Sequence, residues 1–452
     1  MSSVLATLFA VTLLAAEPLP SAAPGTLLTV RGSMTAIKGD GNGRKVFEAN
    51  VLVASGTADQ SVVYWTLDEQ GPGQWSWPDR MGRTELGAHW RPSVGTPPTL
   101  LYDRGDGKSQ VPLVLPLLAS DSGKLAKDAR WEHGRLDHRV TGLEKRGDWE
   151  AWRVEARNAY GIKRTCWVAP ESAIVVALHE RVFIGQGQEF DLKWELVGAR
   201  TLETAELDAT AKGFDYLLKL REELGQEPLD QDAQWNDMQL EKLKSQQAAV
   251  AKLASVSLLA PLAKVIDQDI RSQKGRSGAV ASLREKSLGQ NAPADWKFDG
   301  LAGAKLERSQ LAGKVTVLHF WEYRDVPLEE PYGQTGFLDF LYRQRGKGGV
   351  DVYGVAVHES EEADPSARRR AMQAAGRFKS FMNLSYPLLV DDGTMLRKLG
   401  DPRVAGAKLP LWVVINAEGK VIEYHSGHYE VHRDRGLEAL DATVTKASRK
   451  GE

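Results

Sequence analysis

Cys166 is the single cysteine of this 452-residue chain, and that limits its sulfur chemistry at once. One thiol cannot close an intrachain disulfide, so an oxidising compartment gives the chain no internal cross-link. The residue stands in IKRTCWV, an alternating stretch typical of a strand, where a free cysteine usually behaves as a small buried hydrophobe. Nothing nearby in sequence supplies the histidine and carboxylate that a nucleophilic thiol needs. A second cluster, HSGHYEVH, places His425, His428 and His432 close to Glu430. Histidine is the commonest metal ligand, but the spacing across Gly427 matches no zinc pattern, so these are expected to be surface residues and no metal is expected. A third cluster lies in LHFWEYRDVPLEEP, where Glu322, Asp325, Glu329 and Glu330 could form an acidic rim for a cation or a basic peptide. Asp391 and Asp392, in LLVDDG, read as a strand-to-helix turn. None of these clusters implies a cofactor.

The elements that must position these residues come in three textures. Residues 25 to about 200 are short alternating runs separated by turn residues, the pattern of antiparallel strands. Its clearest part is AWRVEARNAY, GIKRTCWVAP, AIVVALHERVF and QEFDLKWELVG, with Trp152, Val154 and Ala156 on one side of the first run. Nine of the thirteen tryptophans fall here, which implies either a large aromatic core or an apolar concave face open to a ligand. From 203 to 286 apolar residues recur at helical spacing, and the segment reads as a spacer or as helices packed on a neighbour. Strands then alternate with helices, which argues for a mixed α/β sheet. The expected layout is a signal peptide over 1–23, an antiparallel β-rich domain over 24–202, a helical connector and linker over 203–286, and an α/β domain over 287–452.

Composition agrees with a soluble multi-domain protein: 42% apolar residues, 26% charged, and a formal net charge of -2. That balance gives no bulk attraction to nucleic acid or to an anionic membrane. Residues 4–16, VLATLFAVTLLAA, are shorter than the about 20 residues a spanning helix needs. They read as the apolar core of a signal peptide, although no Lys or Arg precedes them. The expectation is export, to the periplasm, with no membrane span left after signal removal.

From Leu288 onward the sequence resembles the thioredoxin-like superfamily in its TlpA/ResA-like, or redoxin, form. The resemblance is carried by LGQNAPADWKFDGLAGAKLERSQLAGKVTVLHFW, with Gly289, Pro293, Gly303, Gly313 and Lys314 in matching places, and by KLPLWVVINAEGKVIEYHSG, with Pro410 at the family's cis-proline and Gly427 closing the last strand. It implies a thioredoxin-like fold, a cis Leu409–Pro410 bond, and a groove formed by Trp321, Arg324, Leu409 and Pro410. The active-site motif departs from the family. The two cysteine positions are Asp325 and Leu328, enclosing Val326 and Pro327. Thiol-disulfide exchange needs an attacking thiolate and a second sulfur to resolve the mixed disulfide, and neither side chain offers one. If a helix begins there, as in the family, Asp325 is suited to cap it. A peroxiredoxin-type sulfur is also missing, since PYGQTGF carries Phe337 and Leu338 where it would stand.

The family implies a thiol-disulfide oxidoreductase, whereas these residues imply a redox-inactive binding or scaffold module for an extracytoplasmic protein or peptide. Two alternatives stay open. One is redox activity through Cys166; the other is apolar-ligand carriage by the tryptophan-rich domain, whose strand rhythm is distantly similar to the curved sheet of periplasmic lipoprotein carriers.

Overall fold

The structure is a computed structural model. It describes the chain except for residues 1–18, 38–42, 58–59, 104–107, 119–124, 148, 171, 186, 226–228, 230–234, 257, 296, 302–304, 323–333, 358–364, 433 and 450–452. The chain forms two compact units, Met1–Arg271 and Ser272–Glu452.

The first unit is built on strands β1 (Thr26–Ala36), β2 (Lys45–Gly56), β3 (Gln60–Gln70), β4 (Met81–Gly87), β5 (Pro92–Gly95), β6 (Thr99–Asp103), β7 (Lys108–Pro112), β8 (Arg130–His133), β9 (Leu136–Arg146), β10 (Trp149–Asn158), β11 (Gly161–Val168), β12 (Val175–Ile184) and β13 (Gln188–Thr201). Eleven of them make one sheet in the order β5-β4-β3-β2-β1-β13-β12-β11-β10-β9-β8, and β6–β7 is a separate hairpin. Every pairing in the large sheet is antiparallel, and the first and last strands close on each other with Val30 opposite Leu196 and Gly32 opposite Trp194. Gly32 is required there, because a Cβ would lie 2.5 Å from the Phe47 ring and 2.6 Å from Trp194 Cβ.

One face of this sheet is filled by the protein's own chain. Leu100, Leu101, Tyr102 and Val111 of the hairpin, with Leu113, Leu115 and Leu117 after it, pack among Trp65, Trp75, Trp194 and Phe190. The tryptophans fasten the segment as well as fill space: Trp65 Nε1 donates to Thr96 O at 2.9 Å and Trp75 Nε1 to Thr99 O at 2.6 Å. Of the two readings of the aromatic density, the structure shows the packed core.

The opposite face of β1–β4 is covered by helices α1 (Thr204–Glu223), α2 (Asp237–Ser245), α3 (Gln247–Lys252) and the first part of α4 (Ala260–Ser287). Leu27, Leu52, Tyr64 and Met81 share a core with Phe214, Leu217, Leu243, Leu262 and Ile266, and Tyr64 stacks on Phe214 at 4.7 Å. The segment expected as a connector thus packs its helices on the sheet as far as Ile270.

The second unit holds β14 (Lys297–Gly300), β15 (Lys305–Glu307), β16 (Val315–Glu322), α5 (Thr335–Arg345), β17 (Val350–Val357), α6 (Pro365–Phe381), β18 (Leu388–Asp391), α7 (Thr394–Leu399), β19 (Leu411–Ile415), β20 (Val421–Ser426) and α8 (Glu438–Ser448). The sheet runs β15-β14-β18-β17-β16-β19-β20. β16 pairs parallel with β17 and antiparallel with β19, so it is buried on both edges and both faces. Its near-continuous apolar sequence, VTVLHFW, suits that place. Helices α5, α6 and α8 pack on one face; α7 and Val280 and Leu283 of α4 pack on the other. The expected mixed α/β sheet is present. Asp391 and Asp392 make the strand-to-helix turn: Met395 N–H and Leu396 N–H donate to Asp391 at 3.2 and 2.9 Å, and Thr394 N–H donates to Asp392 at 2.9 Å.

Candidate functional site

Alternation along β16 sends Val315, Val317 and Trp321 to the core under α5, α6 and α8, and Leu318 and Phe320 to the opposite core. His319 takes the same parity as Trp321. It is fully buried and stacks on Trp412 of β19, ring centroids 3.9 Å apart. Neither ring nitrogen has a hydrogen-bond partner among the described residues. Burial pushes the His319 imidazole down to about 3, with the nearby His428 adding to the effect. The ring is therefore neutral at any physiological pH. Trp321, one turn of the pleat further on, is 5% exposed and lies 5.2 Å from the Phe378 ring of α6.

Three chain segments meet beside this pair. Leu409–Pro410 is a cis peptide bond that leads into β19, and Pro410 sits one rung beyond the Phe320–Leu411 pair, beside Trp321. Gly427 follows β20 with φ +96°, a conformation that favours glycine, and nothing within 4 Å would crowd a Cβ there. That backbone turn aims Gly427 N–H at Pro410 O, 2.7 Å away, and Gly427 O at Trp412 Nε1, 3.1 Å away. The glycine thus ties the proline segment to the end of β20. Tyr429 continues the aromatic contact, edge-on to Trp412 at 5.4 Å and stacked on His425 at 4.0 Å.

The third segment is the entry to α5. Gln334, 4% exposed and at φ +66°, holds both backbone groups of Tyr429: its Nε2 donates to Tyr429 O at 2.6 Å, and Tyr429 N–H donates to its Oε1 at 2.9 Å. The described helix after β16 begins at Thr335.

Of the residues singled out from the sequence, Trp321 and Pro410 stand level on β16 and at the entry to β19, while Leu409 packs against the core on the other face of the sheet. Arg324, Asp325, Val326, Pro327 and Leu328, with Glu329 and Glu330, lie outside the described residues. Cys166 belongs to β11 in the other unit; it is 5% exposed, and burial pushes its thiol up to about 12. Such a sulfur stays protonated and is a poor nucleophile. His425 and His428 flank Gly427 as expected, with His428 exposed and His425 half-buried, while His432 lies 3.6 Å from Glu438. Among the described residues no group of three or more His, Cys, Asp and Glu side chains is arranged to hold a metal ion.

Sequence reasoning missed His319, Gln334 and Tyr429. A signal existed for His319, the one ionisable side chain on the inward parity of an otherwise apolar strand. Gln334 and Tyr429 stand 95 residues apart, and no local pattern links them.

The second unit is a mixed α/β sheet with helices on both faces and a cis-proline beside the end of its central strand. Comparison with known proteins adds relatives over about a third of the chain. No family model matches the sequence. It is 27% identical over 146 residues to the thiol-disulfide oxidoreductase ResA of Bacillus cereus, a match spanning 32% of this chain and 73% of that protein. The ResA of Bacillus anthracis is 26% identical over 149 residues, with the same coverage. Among solved structures, a secreted Mycobacterium tuberculosis disulfide oxidoreductase homologous to E. coli DsbE is similar at 20% identity and TM-score 0.25, covering 34% of this chain and 96% of its own. A thioredoxin-family thiol:disulfide interchange protein of Chlorobium tepidum TLS is similar at 17% identity and TM-score 0.27, covering 35% and 97%.

Proposed function

We propose that residues 287–452 form a thioredoxin-like domain that has given up thiol chemistry and serves as a binding module for an extracytoplasmic protein or peptide. One observation carries this reading: a cis-proline stands beside the end of β16, while the chain's only thiol is buried and protonated in the other unit. Pro410 lies one rung beyond the Phe320–Leu411 pair, level with Trp321, and its carbonyl accepts from Gly427 N–H at 2.7 Å. Cys166, the only sulfur able to form a disulfide, is buried in β11, with its thiol raised to about 12. A single protonated thiol cannot complete a dithiol cycle. The kinship of a third of the chain to ResA supports the fold of this domain and an exported setting. Carriage of an apolar ligand by the strand-rich unit gains no support, because the hairpin β6–β7 fills that face.

The test is an insulin-reduction assay on the purified chain, paired with capture of periplasmic proteins. The expected result is no turnover above the uncatalysed rate, in the parent and in Cys166→Ala alike, with a partner retained by the parent and lost in Pro410→Ala. Turnover that disappears in Cys166→Ala would overturn the proposal.

A further inference from the structure

Helix α4, 28 residues long, is anchored by apolar side chains at both ends and by none in the middle. Its first part is fixed in the first unit: Leu262, Ala263, Ile266 and Ile270 are buried in the core beneath the sheet, and Asp269 accepts a hydrogen bond from Trp77 N–H at 2.7 Å. Its last part is fixed in the second unit, where Val280 and Leu283 pack on the core, Arg284 meets Glu423 at 3.2 Å, and Ser287 Oγ donates to Leu399 O at 2.8 Å. Between Ile270 and Val280 the sequence is RSQKGRSGA, with no apolar side chain larger than alanine. The boundary between the compact units falls inside this stretch, at Arg271–Ser272.

Two glycines stand in it without a structural reason. A Cβ on Gly275 or Gly278 would meet nothing within 4 Å, and neither residue adopts a positive φ. Gly213 of α1 shows the contrast, since a Cβ there would come 2.3 Å from Leu259 Cδ1. Glycine lowers the helical population relative to alanine by about fivefold per residue when nothing else requires it. The polar side chains of the stretch push the same way. Gln273 is 8% exposed, and its Oε1 has no hydrogen-bond partner among the described residues. Arg276 is half-buried and makes no ion pair among them. Opening this turn returns both groups to water, which compensates for the helical hydrogen bonds that opening breaks.

We propose that residues 272–279 of α4 are a hinge in the helix: the helix opens there while its two anchored ends stay folded. Cooperative opening of a segment that lacks buried apolar contacts is the expected pattern of local unfolding. The inference does not rest on the binding proposal above.

Native-state hydrogen exchange of the full chain tests it. Amides of 274–279 should exchange at least about tenfold faster than those of 263–270 and 281–286, once corrected for intrinsic rates. Gly275→Ala with Gly278→Ala should slow the middle amides by roughly 25-fold and leave the flanks unchanged. Gln273→Ala should slow them as well, by removing the unpartnered amide. Protection of 274–279 equal to the flanks would overturn the hinge, and so would a double variant whose middle amides exchange at the parent rate.

Discussion

Each unit buries an ionisable group, and the two surroundings are opposites. In the strand-rich unit Lys45 Nζ and Glu69 Oε2 lie 2.9 Å apart with both side chains fully excluded from solvent. Every strong acceptor and donor of the pair is used: Trp75 N–H donates to Glu69 Oε1 at 2.6 Å, Leu101 N–H to Oε2 at 3.2 Å, and Lys45 Nζ also donates to the carbonyls of Pro72 and Gly73. In the α/β unit His319 is just as buried and has an aromatic stack in place of hydrogen bonds. A saturated buried pair specifies packing, because it fixes the turn at 71–75 and strand β6 against the sheet. An unsaturated buried imidazole specifies only a protonation state, and it belongs to the strand that leads into the segment whose sequence resembles a thioredoxin-type motif.

Breaking the saturated pair should give the largest effect. Glu69→Ala strands an ammonium group in a dry core and should destabilise the strand-rich unit by about 3–5 kcal/mol, whereas Lys45→Met combined with Glu69→Leu should recover most of that loss. Hydrogen exchange in β2 and β3 under rising urea measures both. A single-variant loss below about 1 kcal/mol would mean that the pair is not desolvated, and the contrast between the units would vanish.

The unsaturated group should make itself felt through acid. An unfolded histidine titrates near 6.5, while folded His319 titrates at about 3, so the folded state refuses a proton that the unfolded state accepts between those values. Its contribution to stability is complete above pH 6.5 and is lost as pH falls, by about 1.4 kcal/mol per unit, or about 2 kcal/mol by pH 5. His319→Leu removes the titration and leaves no unpaired polar group. At pH 7 it should shift stability by no more than about 1 kcal/mol, the scale of the lost stack on Trp412. The check is exchange in β16 and β19 at pH 7 and pH 5, and parallel pH slopes for parent and variant would refute this account.

How much of this was legible in the sequence follows from how local each feature is. The four alternating runs between residues 151 and 198 correspond to β10, β11, β12 and β13, because a period of two is imposed by the pleat residue by residue. The alternation of strand and helix after residue 288 is local in the same sense. What fills the face of the large sheet is not local. Nothing in TLLYD or KSQVP states that this hairpin folds under the large sheet and not into it. The cis bond before Pro410 was readable only through the family resemblance, since a proline in isolation favours the trans form. At the site, Trp321 and Pro410 stood out as motif residues. His319 hid inside an apolar strand, and Gln334 hid because its partner is a backbone segment 95 residues further along the chain.

Gln334 gives the smallest of these effects and the sharpest discrimination. It resembles the saturated pair in satisfying a buried backbone, but it does so from φ +66°, a conformation that disfavours a side chain. Two terms therefore oppose each other within one residue. Gln334→Ala keeps the backbone strain and removes both hydrogen bonds to Tyr429, which should cost about 1–2 kcal/mol in the α/β unit. Gln334→Gly removes the same bonds while relieving the strain, so it should come out about 1 kcal/mol better than alanine. Equal losses for the two variants would show that the left-handed turn carries no strain. A gain for glycine over the parent would show that the bonds to Tyr429 contribute less than the turn costs, and the clamp would then be a consequence of the fold and not one of its causes.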